Sequence, residues 1–238
     1  MDEKWIDRLL TDHDHRAEDI EALRSIGTHK RSYKAGQMIL FEQDRFDMLY
    51  AVISGWIAII RNLEDGTEHI LDVFLPGQLV GVRQLTSSEA LIGYRTLTDA
   101  EVFLVSKRGL KDAMDSNPTV NNAVMRTLSR EDSWLMERII TLGQRSAAQC
   151  TMHFLLEIGD RLVQTKEQSA PLTRIELPIS QEQLANILAI TPVHLSRVLK
   201  DLRSKGLLES SEGAWLLPDR EAAEDFCDYQ AKRLQLGK

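Results

Sequence analysis

The chain has 238 residues, of which 43% are hydrophobic and 27% charged, and a formal net charge of −7. That is enough for one large globular domain or two modest ones, and the acidic balance argues against indiscriminate nucleic-acid binding. No apolar run approaches the ~18 residues of a membrane span, and the charged opening MDEKWIDRLLTDHDH has no signal-peptide core, so a cytoplasmic protein with no membrane partner is expected.

Residues 2–26 read as helix, with Trp5, Leu9 and Leu10, then Ile20, Leu23 and Ile26, at helical spacing and a break at 12–14. From 28 to 107 the pattern becomes short β-branched and aromatic runs: QMILFEQ, DMLYAVISG, WIAIIRNLEDG, TEHILDVFLPG and YRTLTDAEVFLVS. Gly36, Gly55, Gly66, Gly77 and Gly81 fall at the joins, and the Glu-Asp-Gly at 64–66 signals a hairpin. Strands so spaced predict a compact antiparallel sandwich or barrel.

From Ser106 the periodicity turns helical, and Asn117-Pro118 is a helix start. Val120, Val124, Leu128, Leu135, Ile139 and Leu142 follow as one narrow stripe with Glu131 in its gap. A helix of ~25 residues runs ~37 Å, more than one face of a small domain needs. The stripe therefore predicts a seam that pairs with a symmetry mate, a core-packed helix being the alternative. Gly143 ends or bends this helix. A second helix at 146–165 carries Met152, Phe154, Leu155, Ile158 and Leu162, then come a polar loop and a short strand at 175–177. Cys150 and Cys227 lie far apart without metal-ligand spacing and are expected to be buried thiols; two cysteines cannot hold a four-cysteine iron–sulfur cluster.

Residues 180–208 read SQEQLANILAITPVHLSRVLKDLRSKGLL. Ser180 with Gln183 forms a capping box. Leu184, Ile187 and Leu188 face inward, Ala185 permits a close crossing, and Ala189-Ile190 make a turn. Thr191 caps a second helix with Pro192 at its first position, and Leu195, Val198, Leu199 and Leu202 form its inner face. Between 191 and 206 stand Arg197, Lys200, Arg203 and Lys205 against the single acid Asp201. This is a helix-turn-helix pattern whose second helix suits a major groove. Arg197 is the candidate for bidentate contact to guanine, Val193 for apolar contact to a thymine methyl, and Ser196 for either kind of base. Thr191, His194 and Lys200 suit phosphates. A hairpin at 208–217, turning at Glu212-Gly213, reads as a wing, with Trp215 packing it to the helices. Residues 219–236 read as a charged amphipathic helix that packs on the head or exchanges between subunits.

The order of these parts resembles the Crp/Fnr family of bacterial transcription regulators. GQMILFEQD, LYAVISGWIAII, EDGTEHILDVFLPGQLVG and TDAEVFLV match its β-roll pattern, and TPVHLSRVLKDLRSKGLL its recognition helix. The resemblance implies an α+β fold: N-terminal helices (1–27), an antiparallel, jelly-roll-like sensor β-roll (28–116), a long dimerisation helix (117–144), a C-terminal winged helix-turn-helix (145–218) and a tail (219–238). It also implies a homodimer on pseudo-palindromic double-stranded DNA, contact with RNA polymerase and a signal sensed by the roll. The seam would comprise Val124, Leu128, Leu135, Ile139 and Leu142.

The departures limit the effector. Cyclic-AMP receptors of the family hold the phosphate with a Gly-Glu pair and an Arg-Ser pair. Here Gly81 precedes Val82, Ala90-Leu91 stand at the second pair, and Leu135-Met136 replace the polar pair that meets adenine. Cyclic AMP is therefore not expected, and Gly81, Val82, Arg83, Arg95 and Leu135 are the candidate lining of whatever effector binds. No N-terminal cysteine group is present, so an iron–sulfur cluster is not expected either. A haem-bound gas sensor stays open, with His69 and His153 as the histidines in question. The competing classes are a ligand-binding module whose helix-turn-helix serves protein contacts, and an enzyme. The first predicts a mixed charge pattern at 191–206. For the second there is no P-loop, Gly-x-Ser-x-Gly, HExxH or paired Cys/His set.

Overall fold

A computed structural model describes residues 4–10, 15–64, 66–164, 173–211 and 214–234. The chain forms two compact units, Met1–Ser129 and Arg130–Lys238.

In the first unit, helices α1 (Lys4–Leu10) and α2 (Ala17–Ser25) precede eight strands: β1 (Gly27–Tyr33), β2 (Met38–Leu40), β3 (Met48–Ser54), β4 (Ile57–Asn62), β5 (Glu68–Phe74), β6 (Leu79–Val80), β7 (Gly93–Thr96) and β8 (Ala100–Ser106). They make two four-stranded antiparallel sheets, ordered β1-β8-β3-β6 and β2-β7-β4-β5. Sequence neighbours β4 and β5 pair from Ile57↔Phe74 to Asn62↔Glu68, the hairpin expected there; Asp65 lies outside the described residues. The roll closes through long-range pairs such as Tyr50↔Leu104. Gly55 turns with φ +79°, and a Cβ there would stand 2.2 Å from the Asp99 carbonyl oxygen, so this β3–β4 turn requires glycine. The interior is apolar: Leu49, Ala51, Ile57, Val80, Val102 and Val105 are all buried.

Helix α3 (Lys107–Ser116) follows the roll, and α4 (Pro118–Gln144) begins where Asn117 Oδ1 accepts hydrogen bonds from Thr119 N (2.9 Å) and Val120 N (3.2 Å). Gly143 falls inside α4, which runs on one residue further. The boundary between the units falls within this helix. Val120, Ala123 and Val124 are buried in the core of the first unit, and Leu128 is half-buried against it. Val124 is thus a core residue and not part of a free seam: the 117–144 stripe has two owners, and its first turns serve the roll.

In the second unit, α5 (Ala147–Gln164) buries Met152, Phe154, Leu155, Ile158 and Leu162. Strand β9 (Arg174–Glu176), helices α6 (Gln181–Ile187) and α7 (Pro192–Ser204), strands β10 (Glu209–Ser211) and β11 (Ala214–Leu216), and helix α8 (Arg220–Cys227) follow. The strands form one antiparallel sheet ordered β10-β11-β9. The tail is not one continuous helix. Asp228 takes a left-handed conformation (φ +51°), ends α8 and turns the chain into a 3₁₀ segment, Ala231–Leu234. Cys150 and Cys227 are both buried free thiols, and burial pushes the Cys227 thiol up to about 12.

Candidate nucleic-acid interface and sensor roll

Helix α6 starts in a complete capping box: Gln183 N donates to Ser180 Oγ (3.1 Å) and Ser180 N to Gln183 Oε1 (2.8 Å). Leu184, Ala185, Ile187 and Leu188 are buried. The turn is made by Ala189 at φ +54°, a left-handed conformation that costs an L-residue ~1–2 kcal/mol, with Ile190 N closing on Ala185 O at 3.0 Å. Thr191 Oγ1 then accepts from His194 N at 3.1 Å and caps α7. Apolar residues at 195, 198, 199 and 202 put Leu195, Val198, Leu199 and Leu202 on one buried face, as the helical period requires.

That packing leaves Thr191, Val193, His194, Ser196, Arg197 and Lys200 all exposed on the outer face of α7. Val193, an apolar side chain, is 63% exposed. Asp201, the one acid here, is held by Lys205 at 2.7 Å. Arg203 lies over the Trp215 ring of β11 at 5.6 Å, which ties the wing to α7 and places Trp215 as a packing residue. Arg197 and Lys200 make no ion pair among the described residues. The wing's turn, residues 212–213, lies outside them.

On the second-unit stretch of α4, Leu135, Met136, Ile139, Ile140 and Leu142 are 45% to 63% exposed. Leu135, Ile139 and Leu142 therefore stand free in water, whereas Glu131, which the sequence reading placed in the stripe's gap, is buried. The exposed face follows Asp132, Leu135, Ile139 and Leu142, alternating steps of three and four. Asp132, Met136 and Ile140 also belong to this face and were missed, because a stripe of apolar residues at steps of three and four passes over a charged neighbour and the flanking apolar positions.

In the roll, Gly81 turns with φ +100°, and a Cβ on it would fall 2.5 Å from the Phe46 ring. Gly81 is a packing glycine. Val82 and Ala90 are each 2% exposed. Gln84, also buried, donates from Nε2 to Tyr94 Oη (2.6 Å) and accepts from Leu91 N, so this segment is fastened to itself. Arg95 pairs with Glu68 across the sheet, and Arg83 is half-buried with a partner of its own. Leu135 belongs to the other unit. Of the four candidates in the first unit, Gly81 and Val82 serve packing and Arg95 is paired with Glu68. Of the two histidines considered for haem, His69 is half-buried on β5, opposite Arg61. His153 is buried in the second unit with Nε2 3.3 Å from Glu137 Oε1. Burial, with the nearby Arg145 and Arg138, lowers the His153 pKa to about 3.

A cyclic nucleotide-binding domain model matches residues 30–117, and a Crp-like helix-turn-helix domain model matches 151–226. The chain belongs to the Crp/Fnr family of transcription regulators. Curated Crp/Fnr relatives include the transcriptional activator protein FnrL of Cereibacter sphaeroides, 24% identical over 81% of this chain and 77% of that protein. The nitrogen fixation regulation protein FixK of Bradyrhizobium diazoefficiens is 26% identical over 81% and 79%. The solved structure of FixK2 from Bradyrhizobium japonicum superposes with a TM-score of 0.75 at 24% identity, covering 87% of this chain and all of that one, which establishes the Crp/Fnr fold. Among the described residues, no helix is long and apolar enough to cross a membrane.

The matched roll model is named for cyclic nucleotides, and at positions 82 and 90 this chain offers a cyclic phosphate no charged partner. A cyclic phosphate needs a charge-assisted partner. Val82 and Ala90 are apolar and buried, and Arg95 is engaged by Glu68.

Proposed function

We propose that this regulator works as a homodimer in the cytoplasm, its copies joined along the exposed face of α4. Two α7 helices enter successive major grooves of a pseudo-palindromic operator, centred ~34 Å apart. Arg197 reads guanine, Val193 and Ser196 read neighbouring base edges, and Thr191, His194 and Lys200 fix register on phosphates. One observation carries this reading: the single acid of α7 is engaged by Lys205, while Arg197 and Lys200 stand exposed without an ion pair among the described residues. A helix-turn-helix serving protein contacts would show unpaired charges of both signs on its second helix, whereas here the one acid of α7 is paired and the unpaired charges are cationic. The roll receives a signal other than a cyclic nucleotide, and the chain carries no four-cysteine iron–sulfur cluster, having only Cys150 and Cys227. Contact with RNA polymerase is proposed from the resemblance to Crp/Fnr regulators.

Mobility-shift titration of a selected operator at several salt concentrations tests the interface. The logarithm of the affinity falls linearly with the logarithm of the salt concentration for a helix lying on phosphates. A salt-independent complex would overturn the reading.

A further inference from the structure

The helix-turn-helix model stops at residue 226, yet beyond it Tyr229 and Leu234 are buried in the second unit while their neighbours face solvent. Tyr229 is 4% exposed and Leu234 fully buried. Their partners lie on α4 and α5. Trp134 Nε1 donates to the Leu234 carbonyl oxygen at 2.8 Å. Arg145, the residue after α4, donates to the Asp228 carbonyl oxygen (3.3 Å) and to Glu137 (2.8 Å). Tyr229 Oη donates to Asp160 of α5 at 2.7 Å, and Arg220 of α8 binds the same carboxylate at 3.0 Å. The Tyr229 ring also meets His153 edge-on, with centroids 5.1 Å apart.

These contacts have a direction. Trp134, Glu137, Arg138 and Thr141 occupy the buried face of α4, turned to α5 and the tail. Leu135, Ile139 and Leu142 occupy the opposite, exposed face. The tail therefore grips the back of the same two to three turns that offer the seam. Its other attachments run through Asp160 on α5, the helix that packs against α7. Such a buried polar set fixes one geometry: each member left alone would be a desolvated, unpaired group.

We propose that residues 228–234 act as a strap that locks the seam stretch of α4 to the DNA-reading head. The strap sets the spacing of the two α7 helices without touching DNA or the partner copy, and Trp134 and Tyr229 are its positioning residues. The inference rests on the dimeric reading above.

The test uses the full chain, an operator selected in vitro from random duplexes, and a single half-site cut from it. The native chain is compared with one ended after Cys227 and with the double variant Trp134→Phe/Tyr229→Phe, which removes two of the strap's donors and leaves an aromatic ring at each position. A lost strap blurs the spacing, so affinity for the whole palindrome falls at least tenfold while half-site affinity stays within threefold and far-UV circular dichroism is unchanged. Palindrome affinity within threefold of native overturns the strap. So does a parallel loss on palindrome and half-site, which would make the tail an ordinary part of the head's fold. Should the shortened chain not fold, the double variant decides by the same two affinities. A native chain that selects no sequence at all would instead defeat the DNA-binding reading.

Discussion

Replacing Ile139 with glutamate places a charge in the middle of the exposed α4 face, where the side chain is now 63% exposed. Fully burying an isoleucine is worth ~1.5–3 kcal/mol, so seating that fraction against a partner contributes roughly 1–2 kcal/mol per copy and 2–4 per dimer. Leu135, Met136, Ile140 and Leu142, each about half exposed, bring the whole face to between two and three side chains per copy. The symmetric gain is then roughly 8–16 kcal/mol, set against an association cost of ~4–15 kcal/mol. The surplus is small enough that one residue decides. Ile139→Glu loses its burial twice and adds a charge to each copy's seam, so the dimer dissociation constant rises at least ~30-fold. Sedimentation velocity at micromolar concentration should show monomers with native circular dichroism. Asp132→Leu, at the same face, should move the equilibrium the other way by removing a charge from each copy's seam. If Ile139→Glu sediments as native dimer, the seam lies elsewhere.

Arg197→Ala should relax sequence preference at one base pair per half-site and cost ~1–3 kcal/mol per contact; unchanged selection profiles would remove Arg197 from the base edges. Ala189→Gly relieves the left-handed alanine between α6 and α7 and should stabilise the second unit by about 1 kcal/mol, read as a higher urea midpoint at unchanged slope; a lower midpoint would contradict the strain. His153 is buried neutral with its pKa lowered to about 3. Its folded pKa lies below the unfolded value of 6.5, so the unfolded chain binds the proton first. The stability this neutral form supplies is complete above pH 6.5 and is lost as pH falls toward 3. At pH 5 the loss is about 2 kcal/mol, and a His153→Gln chain should lack that component; equal acid sensitivity in both chains would refute it.

Most of α6 and α7 was legible because each signal is local. A capping box, a threonine followed by proline, and apolar residues at the helical period each depend on neighbours within one or two turns. The roll was legible as a class but not in its pairings, since Tyr50↔Leu104 joins residues with no local mark of each other. The α4 seam was half legible. A periodic stripe says that a face is buried, not against what, and Val120 and Val124 proved to be buried in the roll unit. The effector residues failed for a different reason. Arg83 and Arg95 were candidates only because they lie near the missing phosphate partners in sequence, and only the folded sheet reveals that Glu68 occupies Arg95. The tail's break at Asp228 was hidden because a left-handed aspartate has no periodic signature.

The acidic net charge and the basic helix are reconciled by where the acids go. In the second unit, Glu137, Glu157 and Asp160 are buried and paired with Arg145, Arg161 and Arg220, and Asp201 and Asp228 are paired with Lys205 and Arg233. An ion pair formed within the fold cancels its field within a few ångströms, so these acids contribute little at the surface of α7. Over a Debye length of ~8–10 Å, a phosphate approaching α7 meets Arg197 and Lys200 and not the sum over the chain. The remaining net charge acts at longer range, where salt screens it. Its consequence is to weaken loose, unregistered contact with DNA, so that binding would depend on the few cations exposed on α7.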